Sequence, residues 1–168
     1  ITNAGTSVTL TAPNVAAGII IRSGVTDITI VNNFISLGNG QTTNTSFIGI
    51  MGNHGSTPDP IDKIYFNTIN IEGVATAGAM PSFGFARTDF GAVARIVPVD
   101  FRNNIITNTR TGGTGQHFAI ANNYGATASA TGWSLNASNN NILNANASTV
   151  GYWTSAQTFA GWKTASAS

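Results

Sequence analysis

The chain has no cysteine in its 168 residues, which removes disulfides, thiolate metal sites and cysteine nucleophiles together. Charge is almost as scarce. Only 8% of the residues are charged, seven Lys or Arg against six Asp or Glu, so the basic excess of a nucleic-acid binder is missing. No stretch approaches the roughly 20 apolar residues of a membrane span. The longest apolar run, residues 15–21, is broken by Gly18, and no membrane span is expected. There is no initiator methionine or basic leader before Ile1, as in a piece cut from a longer polypeptide. The length is that of one domain or one segment of something larger.

In place of charge stand twenty Asn, twenty-three Thr, thirteen Ser and nineteen Gly. Short neutral hydrogen-bonding side chains favour turns and strands over helices. They are also arranged periodically. Asn33-Phe34-Ile35-Ser36-Leu37 recurs in outline as Asn67-Thr68-Ile69-Asn70-Ile71, Asn104-Ile105-Ile106-Thr107-Asn108 and Asn141-Ile142-Leu143-Asn144-Ala145, at steps of 34, 37 and 37 residues. A second series runs Ile48-Gly49-Ile50, Phe83-Gly84-Phe85, Phe118-Ala119-Ile120 and Val150-Gly151-Tyr152, with Ile19-Ile20-Ile21 as an earlier, shorter member. Upstream of each asparagine lies a third: Ile28-Thr29-Ile30, Ile64-Tyr65-Phe66, Val99-Asp100-Phe101 and Trp133-Ser134-Leu135.

Alternation with a period of two is strand behaviour and does not fit a helical face. Units of about 35 residues holding three short strands cannot bury their own apolar side, so successive units are expected to stack. The doublets Asn32-Asn33 and Asn103-Asn104 and the triplet Asn139-Asn140-Asn141 suit sharp corners, because Asn tolerates a left-handed backbone and bonds nearby main chain. Residues 38–44, 53–60 and 125–132 read as loops. Residues 155–163 form the one expected helix, with Phe159 and Trp162 on one face.

These features resemble right-handed parallel β-helix repeat proteins, especially large secreted and surface proteins of Bacteroidetes-type bacteria. The resemblance covers nearly the whole chain. It is most specific over residues 101–120, from Phe101-Arg102-Asn103-Asn104 to Gln116-His117-Phe118-Ala119-Ile120. Val150-Gly151-Tyr152-Trp153 and Phe159-Ala160-Gly161-Trp162-Lys163 match last-coil features. The resemblance implies an all-β, single-stranded right-handed parallel β-helix of about five coils, residues 1–153, with residues 154–168 as a capping helix, turn or exit segment. It also implies export by a type IX route and an extracellular or cell-surface, adhesin-like setting. Some proteins of that fold are polysaccharide lyases, glycoside hydrolases or epimerases, so the choice between stalk and enzyme rests on the site.

Cleavage of a polysaccharide needs clustered carboxylates or a carboxylate-bound calcium beside a basic residue. The six acids, Asp27, Asp59, Asp62, Glu72, Asp89 and Asp100, include no pair spaced to share a strand face. Asp59 and Asp62 bracket Pro60 and read as turn formers, while Asp27 and Asp100 read as solvated positions. Stacking at 35-residue steps would bring His54, Asp89 and Tyr124 into one column, a histidine polarised by a carboxylate, with Arg87 near enough to neutralise an anionic sugar. The competing reading is that these lie in loops of unequal length where register lapses.

The run Arg110-Thr111-Gly112-Gly113-Thr114-Gly115 lacks the Lys-Ser or Lys-Thr ending of a phosphate loop and reads as a turn. His117 has no second histidine and carboxylate at ligand spacing, so no metal is assigned. Tyr124, Trp153 and Trp162 are candidate stacking platforms for a sugar ring, against a capping role for the aromatic cluster of Tyr152, Trp153, Phe159 and Trp162.

The sequence therefore favours a noncatalytic extracellular structural or adhesion module without cofactor. Its expected partners are neighbouring modules of the same parent chain and a surface polysaccharide. The alternative is a carbohydrate-active domain.

Overall fold

The structure is a computed structural model that describes residues 14–22, 28–53, 61–87, 98–124 and 133–166. Its strands are β1 (Val15–Arg22), β2 (Thr29–Val31), β3 (Phe34–Leu37), β4 (Ser46–Asn53), β5 (Asp62–Tyr65), β6 (Thr68–Ile71), β7 (Val74–Ala75) and β8 (Ser82–Arg87). They continue as β9 (Val99–Arg102), β10 (Ile105–Asn108), β11 (Thr111–Gly112), β12 (His117–Asn122), β13 (Trp133–Asn139), β14 (Ile142–Ala145), β15 (Gly151–Trp153) and β16 (Ser155–Gln157), followed by helix α1 (Phe159–Ser166). Among the described residues no helix is long and apolar enough to cross a membrane.

The single-stranded right-handed β-helix expected from the sequence is corrected. The strands divide among four separate, mostly parallel sheets, ordered β1-β4-β8-β12-β15-β16, β13-β9-β5-β2, β14-β10-β6-β3 and β11-β7. The largest sheet ends in an antiparallel pair, β15 with β16. The corners supply the physical reason. Asn32, Phe66, Asn103 and Asn140, each between one strand and the next, adopt left-handed backbones with φ of 58°, 55°, 57° and 55°. An extended ladder cannot pass through such a residue, so each strand series pairs only with its own kind.

Within a sheet, strands of successive units pair in register. Ile35, Ile69, Ile106 and Leu143 stand in one column of the β14-β10-β6-β3 sheet. They belong to or pack on the main apolar cluster with Ile30, Ile64, Phe101, Ile50, Phe85 and Ile120. The facing column of the six-stranded sheet is small. A Cβ on Gly49 would lie 2.4 Å from Ile69 Cγ2, and one on Gly84 would lie 2.0 Å from Ile106 Cγ2. Glycine here admits the isoleucine opposite.

The six-stranded sheet departs from strict alternation. Ile50, Phe85 and Ile120 join the main cluster, whereas Ile48, Phe83 and Phe118, two residues earlier, form a second one with Met51, Ala86 and Ala121. Two other registers differ from the sequence reading. Ile30 pairs with Ile64, so Phe66 is a corner residue and not the end of the strand. At the last unit Ile120 pairs with Gly151 and Ala121 with Tyr152, one residue off the expected alignment. A Cβ on residue 151 would lie 2.6 Å from the Trp162 ring, so only glycine fits there.

Residues 155–163 are not wholly helical, since Ser155–Gln157 is the antiparallel strand. Thr158 then caps α1, its Oγ1 accepting from Gly161 N at 3.2 Å. Trp162 is 2% exposed and meets Trp133 and Trp153 edge to face at 5.4 and 5.6 Å.

Candidate functional site

A groove of about 370 Å³ lies where the glycine turn after β10 passes β12, lined by Arg110, Gly112, Gly113, His117, Asn146 and Thr149 among others. Gly112 and Gly113 have φ of 83° and 60°, and a Cβ on Gly112 would sit 2.2 Å from the Ala75 carbonyl oxygen. The glycine run, expected as a turn, forms the short strand β11 over Thr111–Gly112 and then lines the groove.

In-register pairing of β8 with β12 sets Ser82 beside His117, and Ser82 Oγ lies 2.9 Å from His117 Nδ1. Asn108, from β10, completes the group. Its Nδ2 donates to Ser82 Oγ at 2.9 Å, to Ser82 O at 3.1 Å and to Phe118 O at 2.9 Å. The other ring nitrogen of His117, Nε2, faces the Gly112 carbonyl at 3.5 Å. Burial pushes the His117 imidazole below its ordinary value, the Gly112 bond opposes this, and the nearby Arg110 charge adds to the lowering.

A serine beside a histidine raises the question of nucleophilic catalysis. Ser82 is 0% exposed and its hydroxyl is already committed to Asn108 and His117, so no solvent-borne carbonyl can reach it. The group instead bonds the imidazole in place at the start of β12, between β8 and β15 in the six-stranded sheet. Arg110 is also spent internally. Its guanidinium donates to the carbonyls of Thr43 at 2.7 Å and of Gln41 and Glu72 at 3.4 Å, and it lies 4.7 Å over the Phe47 ring.

Of the residues singled out from the sequence, His54 and Asp89 lie outside the described residues. Arg87 is 1% exposed, donates from Nε to Asn122 Oδ1 at 3.0 Å and packs 5.4 Å from the Trp133 ring. Burial lowers it to about 10, partly offset by the Asp62 charge. It is therefore an interior cation and has no face toward a bound anionic sugar. Tyr124 packs against Phe83 and Tyr152 at 5.0 and 4.6 Å, and burial pushes its hydroxyl pKa up. Trp153 and Trp162 are brought together, but ring edge to ring face, which leaves Trp162 no open surface.

Asp62 is not a turn residue. It opens β5 in the inward column that pairs with Val99 and is 1% exposed. Asp100 does face outward, accepting from Tyr65 Oη at 2.6 Å and from Arg102 Nε. Burial and Asp100 together raise Tyr65 to about 12, against a smaller lowering by Arg102. Among the described residues no three His, Cys, Asp or Glu side chains are grouped to hold a metal ion.

Sequence reading missed Ser82, Asn108 and Asn122. A signal existed for two of them: Ser82 precedes Phe83 as His117 precedes Phe118, and Asn108 interrupts the inward column Leu37, Ile71.

Comparison of the chain with family models, with curated proteins and with solved structures finds no match to any of them.

Proposed function

We propose that the chain is a noncatalytic structural or adhesion segment of a larger extracellular bacterial surface protein. The observation that carries this reading is where the polar side chains go. Asn33 N and Nδ2 donate to Asn67 Oδ1, Asn67 N and Nδ2 to Asn104 Oδ1, and Asn104 N and Nδ2 to Asn141 Oδ1, all between 2.9 and 3.1 Å. The second amide proton of Asn67, Asn104 and Asn141 reaches the carbonyl of Ile30, Ile64 and Phe101. Arg110, Ser82 and His117 are likewise bonded within the protein. Side chains used to tie units together favour shape over turnover, and the low charge suits a spacer.

A second reading, binding of an extracellular polysaccharide, is favoured by the outward Tyr65, Asp100 and Arg102 on the β13-β9-β5-β2 sheet. One experiment addresses both. The purified chain is incubated with a panel of bacterial and plant polysaccharides, and new reducing ends, unsaturated products and retention on the immobilised glycans are followed. The structural reading expects no product with any glycan. Product formed by the wild-type chain and lost in His117→Ala or Arg87→Ala overturns it, and retention abolished by Tyr65→Ala transfers support to the second reading.

A further inference from the structure

The asparagine ladder has a direction. Each member gives two protons toward the next unit and receives none from it, so its last member is left with donors and no acceptor. Asn141 Nδ2 reaches the Phe101 carbonyl at 2.8 Å, but its backbone N–H has no acceptor among the described residues. Asn141 lines a groove of about 210 Å³ that it shares with Asn140, Leu143, Phe159, Trp162 and Lys163. Its floor is the open edge of β14, which pairs with β10 on its other side. Lys163 is exposed, with Nζ 5.5 Å from the Phe159 ring centroid, and is the cation at the rim.

We infer that this groove docks an extended peptide of a partner protein, which adds as a strand to β14 and sets an aspartate carboxylate on the Asn141 donors beside Lys163. An unpaired strand edge supplies main-chain bonds to any extended segment, and pockets beside it select the side chains. The two conditions at this edge are unmet donors and a positive rim, and a carboxylate meets both where an asparagine oxygen meets only the first. The six-stranded sheet cannot take the same partner, because β16 and α1 already close its end. The inference is independent of the spacer reading, since a groove of this kind serves a scaffold or a glycan binder equally.

The test uses the full chain and fluorescent heptapeptides copying residues 103–109, the natural neighbours of β14, with Asn104 retained, Asn104→Asp or Asn104→Ala. Fluorescence anisotropy gives the affinities, and NMR amide shifts locate the site. The Asp peptide is expected to bind about tenfold more tightly than the Ala peptide, with the Asn peptide between them, and to shift the Asn141 amide. In Lys163→Gln, a substitution on the exposed side of α1, the Asp and Asn peptides are expected to converge while both still exceed the Ala peptide. Equal binding of the three peptides overturns the inference. So does displacement of the Asp peptide by acetate at a concentration equal to its own, or self-association of the chain that closes the groove to every peptide.

Discussion

Asn67 donates both its backbone N–H and its side-chain amide to one oxygen, Asn104 Oδ1, at 3.0 Å in each case. Both residues are essentially buried. Asn104→Ala therefore strands the buried backbone N–H of Asn67, takes one acceptor from its side-chain amide and removes a donor to the Ile64 carbonyl, and about 3 kcal/mol of destabilisation is expected. Asn141→Ala, at the part-exposed end where water can substitute, is expected to cost about 1 kcal/mol. Urea unfolding of the two variants checks the order, and equal losses would remove the ladder as their cause.

Phe66 occupies a corner that asparagine occupies in the other units, with φ of 55° and 57% exposure. Little packing holds it there. Phe66→Asn is expected to raise stability by about 1 kcal/mol, because a left-handed backbone is costly for a bulky side chain. A fall in the melting temperature would mean that packing of the Phe66 ring outweighs the backbone strain.

Gly84→Ala places a methyl group 2.0 Å from Ile106 Cγ2 and 2.7 Å from the Ala119 carbonyl oxygen. Overpacking of about 3 kcal/mol is expected. Gly84→Ala/Ile106→Val should be no more stable than Gly84→Ala, since valine keeps the clashing Cγ2 and the carbonyl clash also remains. Denaturant midpoints of the single and double variants measure the difference.

The columns Ile35, Ile69, Ile106, Leu143 and the corner asparagines were legible in the sequence because a fixed step carries one side chain onto its counterpart in the next unit. The division into four sheets was not legible, since a repeating step shows which strands pair but not where a sheet ends, and the left-handed corner at Phe66 carries no asparagine to announce it. Nor did the Ile48-Gly49-Ile50 pattern disclose that its two isoleucines serve different apolar clusters. At the site, His117 and Arg110 were visible as residue types. Their burial was not, because it follows from partners in other units, Ser82 beside His117 and the Gln41, Thr43 and Glu72 carbonyls around Arg110.

The folded state keeps His117 neutral below the ordinary histidine value of 6.5, by burial first. The unfolded chain takes up a proton there as the pH falls through that value and the folded chain does so only lower. Stability is thus fully present above about pH 6.5 and declines below it. The melting temperature is expected to fall on acidification from pH 7 toward about pH 5, and less steeply in His117→Asn. Identical slopes would place the proton uptake elsewhere.

Trp162→Ala removes a side chain that is 2% exposed and in contact with Trp133 and Trp153. About 4 kcal/mol is expected, with loss of the near-ultraviolet dichroism of the coupled indoles. Retention of that signal would mean that α1 does not hold the cluster.

Arg110 reaches the carbonyls of Gln41, Thr43 and Glu72, which belong to the two preceding units. A tensile load applied along the direction in which the units succeed one another meets most hydrogen bonds one layer at a time and peels them in sequence. A guanidinium that clasps three layers acts as a cross-brace, so rupture at that side must break all three together, and the protein resists being pulled apart from that side more than its modest area of contact would suggest.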